Sequence, residues 1–320
     1  MTNLTAVTGF FLMEFSDSRE LQVVHAFLFL LIYVTSLLGN LIIIILVTLD
    51  PCLQTPMYFF LRNLSFLDAC LISVTVPKLI LDSLTHRSLI SLPGCVVQVF
   101  LVTHLAASEL SILTGMSYDR YVAVCYPLHY GTIMSRAVCV RMTAASWCTG
   151  SLFGVLYSAG TFSLYFCDSR KVPQFFCDVP SLLKISCSKT HITIDVTVVS
   201  GVIFGICCLV CIGYSYICIF NIVFKMQSLQ RKSKAFSTCL PHLIVVTTFL
   251  ITATSAYLKP VPDSPHLVDF LLTVFYAVLP PSLNPIIYSL RNKEIKAALG
   301  KILWKIFHYT FYGKNNRTSM

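Results

Sequence analysis

Long, mostly apolar stretches recur along the chain and alternate with short polar segments. A helix of about 20 apolar residues is long enough to cross a bilayer. The pattern predicts an all-α membrane protein built as a seven-transmembrane helix bundle. The predicted spans, numbered one to seven in chain order, cover residues 24–48, 57–81, 94–125, 138–161, 193–224, 236–258 and 266–290.

A different pattern follows Arg291, where apolar residues recur at helical spacing with lysines between them. Such a segment is too charged to span a membrane and is typical of an amphipathic helix on the inner membrane surface, held by apolar burial and anionic lipid. The sequence therefore predicts a short amphipathic cytoplasmic helix after span seven. Its apolar positions are Ile295, Leu299, Ile302, Leu303, Ile306 and Phe307.

Composition agrees with a membrane protein, because 56% of the residues are hydrophobic and only 12% are charged. A water-soluble protein has about 25% charged residues. The net charge of +9 does not require a nucleic-acid partner, since Lys and Arg are concentrated on the side of the bundle that carries the C-terminus. The positive-inside rule places that side in the cytoplasm. We expect an extracellular tail at 1–23, a membrane domain at 24–290 and a cytoplasmic helix and tail at 291–320.

Four cysteines fall on the predicted outer side, which is an oxidising environment: Cys95, Cys167, Cys177 and Cys187. They allow three pairings, and the sequence does not choose among them. The outer tail also contains the sequon Asn3-Leu4-Thr5, so Asn3 is a candidate glycosylation site.

Two acidic residues lie midway along spans, Asp68 in span two and Glu109 in span three. A charge at mid-bilayer costs ~2.5–3.5 kcal/mol on insertion scales, so such residues are functional candidates. Together with Asn40 of span one, they form a candidate sodium site, since sodium takes oxygen ligands. The alternative is a protonated carboxyl group hydrogen-bonded between helices. Both interpretations stay open.

Charged and proline residues mark the inner ends of two spans. Asp119 and Arg120 are adjacent at the cytoplasmic end of span three, near interfacial water. Pro280, Pro281 and Pro285 each remove a backbone donor from span seven, which predicts a kinked helix with freed carbonyls.

The outer halves of spans three, five and six are uncharged, which suits a small, neutral, apolar ligand with one hydrogen bond, for example to the Tyr257 hydroxyl. The alternative is that these residues only pack helices. His104 lies on another face of span three and is expected to point at a neighbouring helix. The candidate ligand-binding residues are Val99, Val102, Thr103, Ala106, Ser200, Phe204, Leu250, Ala253, Thr254 and Tyr257.

Several motifs resemble those of one receptor family over essentially the whole chain. They are Gly39-Asn40, LQTPMYFFLRNLSFLD at 53–68, MSYDRYVAVCYPLHY at 116–130, SYI at 215–217, KAFSTCLPH at 234–242 and PPSLNPIIYSLRN at 280–292. The chain resembles an odorant receptor of the tetrapod-type class, within the rhodopsin-like G-protein-coupled receptors.

The resemblance implies disulfides between Cys95 and Cys177 and between Cys167 and Cys187. It implies an odorant pocket among spans three, five, six and seven, and signalling through a stimulatory G protein to adenylyl cyclase. Arg120, held by Asp119 at rest, would engage the G protein when span six swings outward. The residues implied to support activation are Tyr216, Asn284, Pro285 and Tyr288.

Three positions depart from the family pattern. Gln54 stands at a position where the family often has His. Gln174, directly before Phe175, also stands where the family often has His. Span six carries Phe249, Leu250 and Ile251 in place of the usual FYG, so a hydroxyl and a flexible point are missing beneath the pocket.

Two other classes fit the sequence less well. A secondary transporter usually shows repeats with broken helices in matching positions, whereas the prolines here cluster in late spans. An intramembrane hydrolase needs a nucleophile with its base, or a metal motif such as H-E-x-x-H, and the sequence has neither. We expect a receptor with no catalytic residues and no cofactor.

Overall fold

The computed structural model describes residues 8–13, 18–85, 88–166, 170–188, 192–257, 267–292, 294–301 and 304. Seven long helices in this part of the chain pack into one bundle, as the hydropathy pattern predicts. In chain order the helices are α1 (Arg19–Leu49), α2 (Pro56–Thr85), α3 (Leu92–Cys125), α4 (Tyr130–Ile133), α5 (Arg136–Phe162), α6 (Val179–Lys184), α7 (Ile192–Lys225), α8 (Leu229–Tyr257) and α9 (Leu267–Arg291).

The helix α8 begins seven residues earlier than span six does in the sequence analysis, because Leu229 and the basic residues after it continue the helix beyond the apolar run. Among the described residues, five helices are long and apolar enough to cross a membrane by length and composition: α1, α2, α3, α7 and α8. The helices α5 and α9 complete the bundle.

At one end of the bundle, which we call the sheet end, the described residues form three short strands. They are β1 (Gly9–Leu12), β2 (Leu89–Ser91) and β3 (Lys171–Val172). The middle strand is β1, which pairs antiparallel with β2 and parallel with β3. The opposite end, where Arg120 and residues 294–301 lie, is called the tail end.

Part of the predicted outer tail, residues 8–13, is therefore structured as a strand of this sheet. The hydropathy pattern does not predict this strand. Phe10 is 0% exposed and packs edge-on against Phe166 at 5.2 Å between ring centroids. The backbone N–H of Met13 donates to the carbonyl of Gln174 at 2.8 Å, which ties the segment to the loop after α5. Strand pairing between distant segments leaves no periodic signal in a short sequence, so the sequence analysis missed it.

Two glycines allow α5 to pack closely against α3. A Cβ on Gly150 would overlap the Ser108 hydroxyl and the carbonyl oxygen of His104, and a Cβ on Gly154 would lie 2.9 Å from the Phe100 ring. Small residues four apart permit such close approach, and packing rather than hydrophobicity joins helices in lipid. As predicted, His104 points at a neighbouring helix, where its ring is tilted against Trp147 with centroids 5.5 Å apart and meets the Ser151 hydroxyl at 3.3 Å.

A helix at 294–301 follows α9 at the tail end. Asn292 caps it, since its side-chain oxygen accepts from the N–H groups of Glu294 and Ile295. The sequence analysis placed Ile295 on a lipid-facing stripe, and this is wrong: Ile295 and Ala298 are buried in the main core of the bundle. Ile302, Leu303, Ile306 and Phe307 lie outside the described residues.

We expect Gly150→Ala to lower the thermal midpoint of the purified protein in detergent. The added methyl group forces α5 away from α3, and overpacking of this kind costs about 1–3 kcal/mol. Gly213→Ala is the matched control, because no described heavy atom lies within 4 Å of a Cβ there. Equal midpoints for the two variants would contradict the close contact between α3 and α5.

Candidate functional site

The two acidic residues at mid-bundle are joined by one amide. Asp68 of α2 and Glu109 of α3 are both buried. The Asn284 side-chain nitrogen of α9 donates to both carboxyl oxygens of Asp68, at 2.9 and 3.2 Å, and lies 3.5 Å from Glu109 Oε1. Three helices therefore meet at this amide. The sequence analysis assigned Asn284 to activation and missed its position between the carboxyl groups.

The sequence analysis placed Asn40 in one candidate sodium site with Asp68. Among the described residues, however, the Asn40 amide donates to the carbonyls of Ser36 and Pro281 and not to Asp68. Pro285 has no N–H, so the carbonyl of Pro281, four residues earlier, loses its helical donor. That carbonyl accepts instead from Asn40 Nδ2 and from the Ser36 hydroxyl, each at 2.8 Å. Gly39 allows this approach, because its Cβ position lies only 3.2 Å from the Pro285 ring. The carbonyl that Pro285 frees in span seven is thus satisfied by α1.

Three buried oxygens around this cluster have no hydrogen-bond partner among the described residues: Asn40 Oδ1, Glu109 Oε2 and Asn284 Oδ1. An unpaired buried acceptor costs about 1–3 kcal/mol. Oxygen atoms are the ligands of a hard cation, and they also accept from a protonated carboxyl group. In the described part of the chain no group of three or more His, Cys, Asp or Glu is arranged to hold a metal ion.

The charged pair of the tail end is buried on one side. Asp119 is 0% exposed and accepts from Arg120 at 2.6 Å and from the Tyr130 hydroxyl at 2.7 Å. Burial raises the pKa of Tyr130, and the Asp119 carboxylate beside it raises this pKa further. Tyr130 therefore stays protonated and remains a donor. The sequence analysis named the acid and the base but missed Tyr130 as the third member.

A buried histidine links three helices just above this pair. His242 of α8 meets the Tyr216 hydroxyl of α7 at 2.7 Å through Nδ1. Its other ring nitrogen lies 2.9 Å from the carbonyl oxygen of Leu113 on α3. The sequence analysis quoted His242 within KAFSTCLPH without giving it a role, and the only signal was a polar ring within an apolar span. The Tyr288 hydroxyl is also buried but has no hydrogen-bond partner among the described residues.

The candidate ligand-binding residues lie in the half of the bundle nearer the sheet. Val99 belongs to the buried cluster beneath the sheet, and the half-buried Phe204 packs against it. Val102 belongs to the main cluster, and the half-buried Leu250 packs against that one. Ala106 and Ala253 are half-buried, and Thr254 is exposed. The side chain of Tyr257 lies outside the described residues.

Two of the candidate hydroxyls are already used inside their own helices. The Thr103 hydroxyl donates to the carbonyl of Val99 at 2.8 Å, and the Ser200 hydroxyl donates to the carbonyl of Thr197 at 2.7 Å. Each oxygen keeps lone pairs, so either side chain can accept a hydrogen bond from a ligand.

The loop between α5 and α7 is anchored over this half. A disulfide joins Cys95 of α3 to Cys177, the pairing that the resemblance implies. Gln98 reinforces it, since its carbonyl oxygen accepts from the N–H of Cys177 at 2.8 Å while its amide donates to the carbonyl of Val74 on α2 at 2.9 Å. The other implied pairing involves Cys167, which lies outside the described residues, as does Asn3.

Comparisons with known proteins agree with this arrangement. A family model described as "Olfactory receptor" matches residues 29–306. The chain is 56% identical to human olfactory receptor 14K1 over 96% of this chain and 98% of the relative. It is 54% identical to human olfactory receptor 14A2 over 98% and 99%. The crystal structure of squid rhodopsin is similar in fold, with a TM-score of 0.70, 17% identity, and coverage of 91% of this chain and 88% of that one.

Asn284→Ala is expected to destabilise the folded protein, because it removes the donor shared by Asp68 and Glu109 and leaves buried acceptors unpaired. The expected loss is about 1–3 kcal/mol, measured as a lower thermal midpoint. Asn63→Ala provides the control, since the Asn63 amide donates only within its own helix, to the carbonyl of Phe59. Similar losses for the two variants would argue against a special role for the Asn284 amide.

Proposed function

Because this chain belongs to the olfactory receptor family, we propose that it binds small, neutral, apolar volatile molecules and activates a stimulatory G protein that raises cAMP. Olfactory receptors are G-protein-coupled receptors and not enzymes, and they are multi-pass proteins of the plasma membrane. A small-molecule ligand and a G protein are the partners of such a receptor. The ligand class, the type of G protein and the second messenger are the proposed part.

The ligand class is supported by the absence of charge among the candidate residues. An amine or a phosphate bound there would have no counter-ion from that set, whereas an apolar molecule gains from contact with Val99, Val102 and Phe204. The proposed pocket lies among α3, α7, α8 and α9 beneath the Cys95–Cys177 disulfide, with one hydrogen bond to Tyr257. The remaining pocket residues are proposed to be Thr103, Ala106, Ser200, Leu250, Ala253 and Thr254.

The single observation that carries the coupling proposal is the buried contact of Asp119 with Arg120 and Tyr130. A charged hydrogen bond of this kind contributes about 1.5–3 kcal/mol, which is enough to favour a resting arrangement. We propose that an odorant which binds the active arrangement more tightly releases Arg120 toward the G protein. Movement of α8 would then replace the Tyr216–His242 contact by other contacts. Asn284, Pro285 and Tyr288 would support the accompanying change in α9.

The missing Tyr and Gly of span six affect how α8 responds to the ligand. Leu250 packs against the main core, and Ile251 is exposed on the outside of α8. A break in α8 is still available at Pro241, one residue before His242. We propose that the swing of α8 is centred there.

We further propose that the tail end faces the cytoplasm and the sheet end faces outward. The excess of Lys and Arg at the tail end supports this orientation through the positive-inside rule. The disulfide at the sheet end fits an oxidising exterior. The same orientation makes 1–23 extracellular and 291–320 cytoplasmic, with a second disulfide between Cys167 and Cys187 and a glycan on Asn3.

A sodium ion among Asn40, Asp68 and Glu109 is the last part of the proposal. Its support is the set of unpaired buried oxygens on Asn40, Glu109 and Asn284. Two carboxyl groups buried together are best satisfied when a cation or a shared proton lies between them. Sodium neutralises both groups, whereas protonation of one carboxyl group is the competing explanation.

The receptor function is tested by expressing the protein in cultured cells and measuring cAMP against a library of volatile compounds. We expect at least one neutral odorant to raise cAMP, and Arg120→Ala to abolish the rise. Arg136→Ala at the exposed start of α5 is the control and should respond like the parent. Surface antibody staining verifies equal expression. An odorant-independent ion current would favour a transporter or channel, and a cAMP response that survives in Arg120→Ala would contradict the role of Arg120 in coupling.

The ion site is tested through Glu109→Gln, which keeps the shape of the side chain and removes its charge. We expect the sodium dependence of G-protein activation to disappear when sodium is titrated against choline, because a ligand of the ion is lost. Glu20→Gln, an exposed position at the start of α1, should keep the parent titration. If parent and Glu109→Gln give the same salt titration, the proton explanation replaces the sodium one.

A further inference from the structure

The helices α7 and α8 touch closely in the tail half of the bundle. Tyr216 reaches His242, and the rings of Phe220 and Phe236 stack with centroids 5.7 Å apart. Phe224 meets Phe236 edge-on at 6.2 Å. The face of α7 that carries Tyr216 and Phe220 is therefore the face turned toward α8.

The same face loses its cover toward the sheet end. Leu209, Gly205 and Val202 lie about two, three and four turns before Tyr216, so all four residues share one stripe of α7. Along this stripe Tyr216 is 5% exposed, Leu209 is 40% exposed and Val202 is 56% exposed. A Cβ added to Gly205 would meet no described heavy atom within 4 Å.

The sheet half of α7 is held by α5 instead. Phe204 packs on Phe153 with ring centroids 4.9 Å apart. Gly201 lies so close to the Tyr157 hydroxyl that a side chain would overlap it. In the described part of α8, Thr254 lies five turns after Phe236, on the face that meets α7 in the tail half, and it is exposed in the sheet half. Over the described residues, the stripe of α7 is therefore left uncovered in the sheet half, and the gap beside it opens sideways, toward lipid.

The described part of the sheet end offers a small molecule much less room. The middle strand β1 inserts Phe10 into the core, and Val172 of β3 is equally buried. Phe175 and Phe176 of the loop project into the main core of the bundle. An odorant arriving from water at this end meets packed aromatic side chains and a disulfide.

We propose that odorants enter and leave from the lipid, through the gap between α7 and α8 lined by Val202, Gly205 and Leu209. The proposal rests on the proposed function, since it assumes an apolar ligand that reaches Phe204 and Leu250. Such a molecule concentrates in the bilayer because apolar surface leaves water favourably. The gap exposes no unpaired backbone to lipid, since the helices satisfy their own hydrogen bonds. The receptor then samples the membrane concentration of an odorant rather than its aqueous concentration.

The test places a bulky side chain in the gap through Gly205→Phe, with Ile203→Phe as the matched control. Ile203 is at the same depth but on the opposite side of the helix, where it is 57% exposed. The probe is the most potent member of a panel of neutral alcohols, aldehydes, esters and terpenes, in tritiated form. Its association and dissociation rates are measured on the receptor in lipid nanodiscs.

We expect Gly205→Phe to slow association and dissociation together by about tenfold, equivalent to ~1.4 kcal/mol of added barrier. The equilibrium affinity stays unchanged, since a portal acts on both directions alike. Ile203→Phe keeps the parent rates. Val202→Trp, which narrows the gap from the same stripe, is a second variant and should behave like Gly205→Phe.

Parent rates in Gly205→Phe and Val202→Trp would overturn the inference. A changed affinity with an unchanged association rate would also overturn it, because the residues would then line the pocket rather than its entrance. Faster exchange in Phe10→Ala, without an effect of the α7 variants, would point to the aqueous end instead. If neither the parent nor Ile203→Phe binds any member of the panel, the proposed function fails.

Discussion

The burial of polar groups without water is the constraint on which the bundle depends, and it is met chiefly around α9. The amide of Asn284 joins the carboxyl groups of α2 and α3, while Asn40 and Ser36 of α1 take the carbonyl that Pro285 leaves without a donor. In lipid such groups have no water to hydrogen-bond with, so the groups joined here depend on protein partners. These contacts also connect four helices at mid-membrane, where a ligand and a G protein would have to be coupled.

The contacts of α3 explain how one helix serves both ends. Near the sheet, Cys95 and Gln98 hold the outer loop; at the centre, Glu109 reaches Asn284; near the tail, the Leu113 carbonyl lies beside His242. Close packing on α5 through Gly150 keeps α3 in place, because a cluster of short-range contacts leaves little room for sliding. Among the described residues, the contacts of α8 with α7 through Tyr216, Phe220 and Phe224 lie in the tail half.

Much of the architecture was predictable, because apolar runs and prolines act locally. The long helices follow the hydropathy pattern closely. The helix α8 begins earlier than predicted because the polar and basic residues that follow Leu229 are also helical. The site was predictable in part. Asp68, Glu109 and Arg120 stood out because charge is rare in a span. Tyr130, His242 and Gln98 did not, since their roles depend on partners far away in the chain. Ile295 was placed wrongly because periodicity shows that a helix has an apolar face but not what covers it.

The sequence by itself determined the membrane bundle and the family motifs, because length, hydropathy and charge are sums over neighbouring residues. Only the tertiary structure decided that Asn284 lies between two carboxyl groups, that β1 fills the sheet end, and that one stripe of α7 is left exposed there. These features depend on which helix faces meet and at what distance. In lipid that choice comes from close packing and hydrogen bonds between helices, not from hydrophobicity. A local sequence pattern does not show which residues of distant helices will be in contact.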